Sequence, residues 1–121
     1  MKFIVALLMI LTVFACNDEQ EVSDVLQEMQ KIESQIDALV QLDCAASSQC
    51  LATPIGVKAC GGPTHYIIHN SSTDMDMLTG LIERYNALNR TYNELTGAIS
   101  DCAVVGPPAL TCDSGICMEE Q

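Results

Sequence analysis

Two stretches of the chain repeat apolar residues at alternating intervals of three and four. The first, over residues 23–42, carries Val22, Val25, Met29, Ile32, Ile36 and Leu39, with Leu26 and Val40 widening the stripe. Its other faces hold Glu28, Gln30, Lys31, Glu33, Gln35 and Asp37. This period is the one by which an α-helix presents a narrow apolar seam. The second stretch, over residues 74–99, repeats the pattern with Leu78, Leu81, Tyr85, Leu88, Tyr92, Leu95 and Ile99. Ser71-Ser72-Thr73 offers a capping hydroxyl, and Asp74 and Asp76 put negative charge where the helix dipole favours it. Gly97 and Ser100-Asp101 mark its end. Each seam needs a cover, so the simplest arrangement packs the two helices on each other within one chain. Self-association as a coiled coil is the alternative.

Between and after the helices the pattern shortens to that of strands and turns. Cys50-Leu51-Ala52-Thr53 reads as a short strand interrupted by Pro54 and Gly56, and Cys60-Gly61-Gly62-Pro63 as a turn. His65-Tyr66-Ile67-Ile68-His69 is rich in β-formers and reads as a second strand. Ala103-Val104-Val105 extends until Gly106-Pro107-Pro108 stops it. Residues 109–118 read as a hairpin turning at Asp113-Ser114-Gly115. The fold class is therefore α+β: two amphipathic helices packed with a small antiparallel sheet of three or four short strands, stabilised by disulfides.

The N-terminus has a different character. After Lys2, residues 3–15 are apolar except for Thr12, long enough for the core of an export signal but short of the roughly 20 residues that span a bilayer. Val13-Phe14-Ala15-Cys16 resembles the lipobox of a bacterial lipoprotein signal peptide. The resemblance implies cleavage before Cys16, a diacylglyceryl thioether on its thiol and a further acyl chain, such as palmitate, on its amine. An ordinary secretory leader cut at the same bond would instead leave Cys16 as a stray thiol. Residues 1–15 are then the signal peptide, 16–22 the lipidated cysteine with an acidic tether, and 23–121 one domain. Asn17-Asp18-Glu19-Gln20-Glu21 is similar to the surface-export tethers of Bacteroidota lipoproteins, although no lysine precedes the acids. The expected location is the outer membrane or cell surface, held by lipid.

Lipidation of Cys16 leaves six of the seven cysteines: Cys44, Cys50, Cys60, Cys102, Cys112 and Cys117. An even set in a short exported chain reads as a disulfide framework, and six cysteines can pair in fifteen ways among which sequence does not choose. No C-x2-C knuckle is present, so neither metal nor cofactor is expected. If all six gathered in one cluster, both helices would end there and lie parallel. An antiparallel helical hairpin would place Cys102 towards the membrane-proximal end instead. The framework compensates for a core with no tryptophan.

Charge narrows the range of partners. Sixteen acids face five lysines and arginines, a formal net of −11, and loss of Lys2 with the leader makes the chain more negative still. Such a surface repels nucleic acid and anionic headgroups. Expected partners are the membrane, through the anchor, and an envelope protein, with the chain itself a monomer.

Cys44-x5-Cys50, Lys58-Ala59-Cys60-Gly61-Gly62-Pro63, Tyr66, Arg84-Tyr85-Asn86, Asp101-Cys102 and Pro108-x-Leu110-x-Cys112-x2-Gly115-x-Cys117 together resemble small bacterial lipoproteins of a Bacteroidota-like type. The resemblance covers nearly all of the chain after the leader. It implies a structural cysteine framework and brings no activity, substrate or catalytic residue.

Few residues offer chemistry. His65 and His69 have the H-x3-H spacing, but on a strand four residues span about 13 Å, too far for a shared ion. There is no G-x-S-x-G elbow and no phosphate-cradling glycine run. The glycosylation triplets at Asn70-Ser71-Ser72 and Asn89-Arg90-Thr91 are expected to be silent. The expectation is thus a lipid-anchored, non-enzymatic binding module, with Lys58, Gly61, Gly62 and Pro63 as the candidate interaction loop. Two alternatives stand beside it: a small protease inhibitor offering Lys58 to a trypsin-like pocket, and an envelope spacer that self-associates through its heptad helices.

Overall fold

The computed structural model describes residues 15–121, with side chains from Asn17 onward. The expected signal peptide, apart from Ala15, and the side chain of Cys16, the expected lipidation site, lie outside the described residues. Helix α1 runs Ala15–Leu39, strands β1 and β2 are Cys50–Ile55 and His65–Asn70, helix α2 is Met75–Thr96, and strands β3 and β4 are Leu110–Asp113 and Ile116–Glu119. A 3-10 turn, Ser47–Gln49, precedes β1. The α+β class and the disulfide framework are both present, with the four strands divided between two antiparallel pairs, β1 with β2 and β3 with β4.

The two helices form an antiparallel hairpin. Gln41, just past the end of α1, donates its N–H to Thr73 Oγ1 at the start of α2, and Glu33 further back along α1 meets Tyr85 midway along α2. The core is where the two stripes meet: Met29, Ile32 and Ile36 from α1, Leu78, Ile82 and Tyr85 from α2, and Ile55 from β1. Ile32 and Leu78 are fully buried, and each such side chain contributes about 1.5–3 kcal/mol of transfer free energy.

Helix limits differ from the pattern for identifiable reasons. α1 is described from Ala15, so residues 16–22, the expected tether, are helical; Asp18 sits in the first turn, where the dipole favours an acid, and Gln20 donates to Asp24 one turn on. It ends at Leu39, because the next carbonyls are taken up elsewhere: Gln41 O accepts from Asn70 N and Leu42 O from Cys117 N. On α2 the cap is Asp74, whose carboxylate accepts from Met77 N at 3.1 Å, and not one of the hydroxyls at residues 71–73. At the other end Gly97 takes a left-handed φ of 61° while Ala98 N bonds back to Asn93 O, a turn that glycine adopts without strain. Ile99 therefore leaves the seam and is 97% exposed.

Strand β1 continues through Pro54 to Ile55, paired in register from Cys50 opposite Asn70 to Ile55 opposite His65. A two-stranded sheet has only edge strands, which is where proline is tolerated. Residues 103–105 form no strand. The β3–β4 hairpin turns tightly at Ser114 and Gly115, both with positive φ (53° and 80°), as a two-residue turn matched to strand twist requires.

The disulfides are Cys44–Cys112, Cys50–Cys117 and Cys60–Cys102. Cys112 and Cys117 face each other across the hairpin yet bond to different partners, stapling β3 and β4 to the chain just after α1 and to the start of β1. The third bridge ties the β1–β2 loop to the segment after α2. The cysteines thus do not converge as one cluster, and the parallel helix arrangement built on that premise gives way to the antiparallel one.

Candidate functional site

The loop between β1 and β2, residues 56–64, is held by an unusual number of devices. Gly56 starts it with φ 84°, and a Cβ there would run into the Thr64 side chain. Asn86 Oδ1 accepts from Gly56 N at 2.8 Å and Asn89 Oδ1 from Val57 N at 2.7 Å. Asn93 Nδ2 donates to Val57 O at 2.8 Å. These three asparagines, three and four residues apart, make one stripe of α2 that hydrogen-bonds the loop as a neighbouring strand would.

The far side of the loop is fixed as firmly. Lys58 Nζ pairs with Asp101 Oδ1 at 3.2 Å and donates to Ala103 O at 2.8 Å. The Ala103 N–H bond to its carboxylate, and then Lys58, hold Asp101 below the usual carboxylate range. The Cys60–Cys102 bridge completes the brace. Within the loop Lys58 N bonds to Gly62 O and Gly61 N to Lys58 O, and Gly61 and Gly62 take φ of 97° and 81°, a conformation side-chain-bearing residues avoid.

The predicted interaction residues therefore separate. Ala59, Gly61 and Gly62 are exposed at the tip and Pro63 is half-buried. Lys58, by contrast, has its side chain only 16% exposed, folded onto Asp101. Beside the loop lies an open cleft of about 400 Å³ between Val57, Ala59 and Gly61 on one wall and Arg90, Asn93 and Glu94 on the other. Among the described residues the ion pairs are Lys31 with Glu28 and Lys58 with Asp101, so Arg84 and Arg90 have no carboxylate within ion-pair reach. Arg84 borders a second groove of about 510 Å³ with Leu39, Met77 and Leu81.

The histidines have separate surroundings. His69 is fully buried; its Nδ1 lies 3.0 Å from Asn70 O and its Nε2 2.8 Å from Thr53 Oγ1. A carbonyl only accepts, so Nδ1 carries the proton and, in the neutral ring, Nε2 accepts from the threonine hydroxyl. With both nitrogens engaged it has no lone pair to offer a metal. His65 is exposed beside Thr64. The sulfurs of Cys44, Cys50 and Cys117 come within 4.8 Å of one another, but in disulfides they are not thiolates and do not serve as ligands.

Asn70 and Asn89 of the two glycosylation triplets are 3% and 8% exposed. Asn70 Nδ2 donates to Asp43 O and Asn89 braces the loop, so neither amide is presented. Among the described residues no buried side-chain nitrogen or oxygen lacks a partner. The sequence reading missed Asn86, Asn89 and Asn93 as a set. Their only local signal was three asparagines, poor helix formers, in register at intervals of three and four beside an apolar stripe.

Three disulfides fit an oxidising, exported compartment. No helix among the described residues is long and apolar enough to cross a membrane. Compared with known proteins, the chain matches no family model, no curated protein and no solved structure.

Proposed function

We propose that this is a lipid-anchored protein of the bacterial envelope whose folded part is a monomeric, non-enzymatic binding module. The partner docks on the 58–63 loop and the cleft beside it. The observation that carries the reading is the bracing of a surface loop whose tip buries nothing. Three asparagine side chains, an ion pair and a disulfide hold residues 56–62, while Ala59, Gly61 and Gly62 remain exposed. A loop ordered in advance loses little entropy on binding, so its fixed shape is worth more to recognition than to stability. Arg90 supplies a cation in the cleft of a strongly acidic protein, suited to a carboxylate or phosphate on the partner.

The inhibitor reading needs Lys58 to swing out and break its contacts with Asp101 and Ala103. The spacer reading needs a free heptad seam, whereas Met29, Ile32, Ile36 and Leu78 are already buried inside one chain.

Crosslinking in host envelopes tests the module. A photoreactive residue at position 59 should capture one partner that a probe at position 76, on the exposed start of α2, does not, and Arg90→Glu should reduce that capture about tenfold. Equal capture from both positions would sink the reading. Intact mass of membrane-purified protein tests the anchor: a chain starting at Cys16 with three acyl chains is expected, and an unmodified thiol there would remove it.

A further inference from the structure

Two of the three disulfides interleave along the chain and lie side by side in the fold. Cys44 is bonded to Cys112 and Cys50 to Cys117, yet the sulfurs of Cys44, Cys50 and Cys117 lie within 4.8 Å of one another. Access to the two bridges differs. Cys50 and Cys117 are 8% and 3% exposed, whereas Cys44 and Cys112 are both half-buried. A thiol arriving from solvent therefore meets the Cys44–Cys112 bond first. The backbone fixes this proximity, since Cys44 N bonds to Gly115 O and Cys117 N to Leu42 O, drawing the residues around Cys44 against the hairpin.

We propose that Cys44 is the relay nucleophile of an internal thiol–disulfide exchange site through which a small-molecule thiol opens the buried Cys50–Cys117 bridge. A thiolate RS⁻ attacks Sγ of Cys112. The Cys44–Cys112 bond breaks, a mixed disulfide RS–S–Cys112 forms, and the electron pair leaves on Sγ of Cys44. That thiolate attacks one sulfur of the Cys50–Cys117 bond; a new disulfide from Cys44 forms, the old bond breaks, and the pair leaves on the other sulfur, which takes a proton from water. RSH has given its proton to water at the start. Two disulfides and one thiol enter, two disulfides and one thiol leave, and no further reductant is needed. Where Cys44 joins Cys50, the β3–β4 hairpin loses both covalent ties and is free to move.

Pulses of glutathione on the full-length protein, quenched with acid, alkylated and mapped by peptide mass, test the relay. In the wild type, Cys50–Cys117 should open together with Cys44–Cys112. In Cys44→Ser/Cys112→Ser it should open at least about tenfold more slowly, because an intramolecular thiolate acts at high effective concentration. If the outer bridge were only a shield, the same variant would open the inner bond faster; an equal or faster rate overturns the proposal. Cys112→Ser alone, without added thiol, should carry alkyl label on Cys50 or Cys117 as well as Cys44. Label confined to Cys44 also overturns it. The Cys60–Cys102 bridge, exposed at both ends, should reduce at the same rate in all three proteins.

Discussion

The helical hairpin and the β3–β4 hairpin are stabilised by different means. Six of the seven residues of the buried apolar cluster come from α1 and α2, and their burial is what holds the helices together. Within residues 110–119 only Cys117 is buried. That hairpin is attached instead by two disulfides with sequence separations of 68 and 67 residues and by backbone bonds to the 42–44 segment. An isolated two-stranded hairpin is marginal in water. A cross-link closing so long a loop restricts the unfolded chain by about 4 kcal/mol in the chain-entropy model. A small chain with one limited core can thus carry a surface element that the core does not reach, provided covalent bonds replace the missing apolar contact.

The sharpest break of this contrast is in the core. Leu78→Ala, at a fully buried position, should cost about 3 kcal/mol by lost transfer energy and an unfilled cavity. Chemical denaturation should show the midpoint fall, with helix and β1–β2 signals lost together. Cys50→Ser/Cys117→Ser should follow at about 2–4 kcal/mol. Hydrogen exchange should then quicken in residues 110–119 while helical circular dichroism persists, and a concurrent loss of helicity would mean the two regions are one cooperative unit.

Smaller effects probe the braced loop and the helix interface. Asn89→Ala leaves the Val57 N–H without its partner at 2.7 Å, a cost of about 1–3 kcal/mol where no water replaces it, and exchange of that amide should quicken selectively. Tyr85 gives the least change at neutral pH. Its phenol, 7% exposed, donates to Glu33 Oε1 at 2.9 Å. Burial first, and then the Glu33 carboxylate, push its pKa from 10.0 to about 12. Ionisation in the unfolded chain therefore precedes ionisation in the fold. The contribution is complete below pH 10 and is lost as pH rises towards 12. The wild type should lose stability across that window relative to Tyr85→Phe, and parallel curves for the two would place the phenol outside the interface.

Much of the fold was legible because it follows from local periods. The two apolar stripes, the turn within residues 113–115 and the strand over residues 65–69 each follow from spacing, β-propensity or glycine placement; the strand runs one residue further, and Ile82, outside the predicted stripe, joins the core. Pro54 misled because proline is read as a strand breaker, whereas in a two-stranded sheet it sits on an edge. Ile99 misled because the heptad count continues past Gly97, where the backbone has already turned. Of the loop residues singled out, Gly61 and Gly62 are exposed at its tip, while Lys58 found an acid 43 residues away that no local pattern announces.

The α+β class, the two amphipathic faces, an even set of six cysteines after residue 16 and an acidic surface can all be read along the chain. All of these are set by composition or by the repeat of a single element. Packing alone settles which cysteines pair, that the helices run antiparallel, that Asn86, Asn89 and Asn93 serve the loop, and that the sulfurs of Cys44, Cys50 and Cys117 come within 4.8 Å of one another. These are relations between residues tens of positions apart, and they are fixed by how the helices and strands pack, which no window along the chain contains.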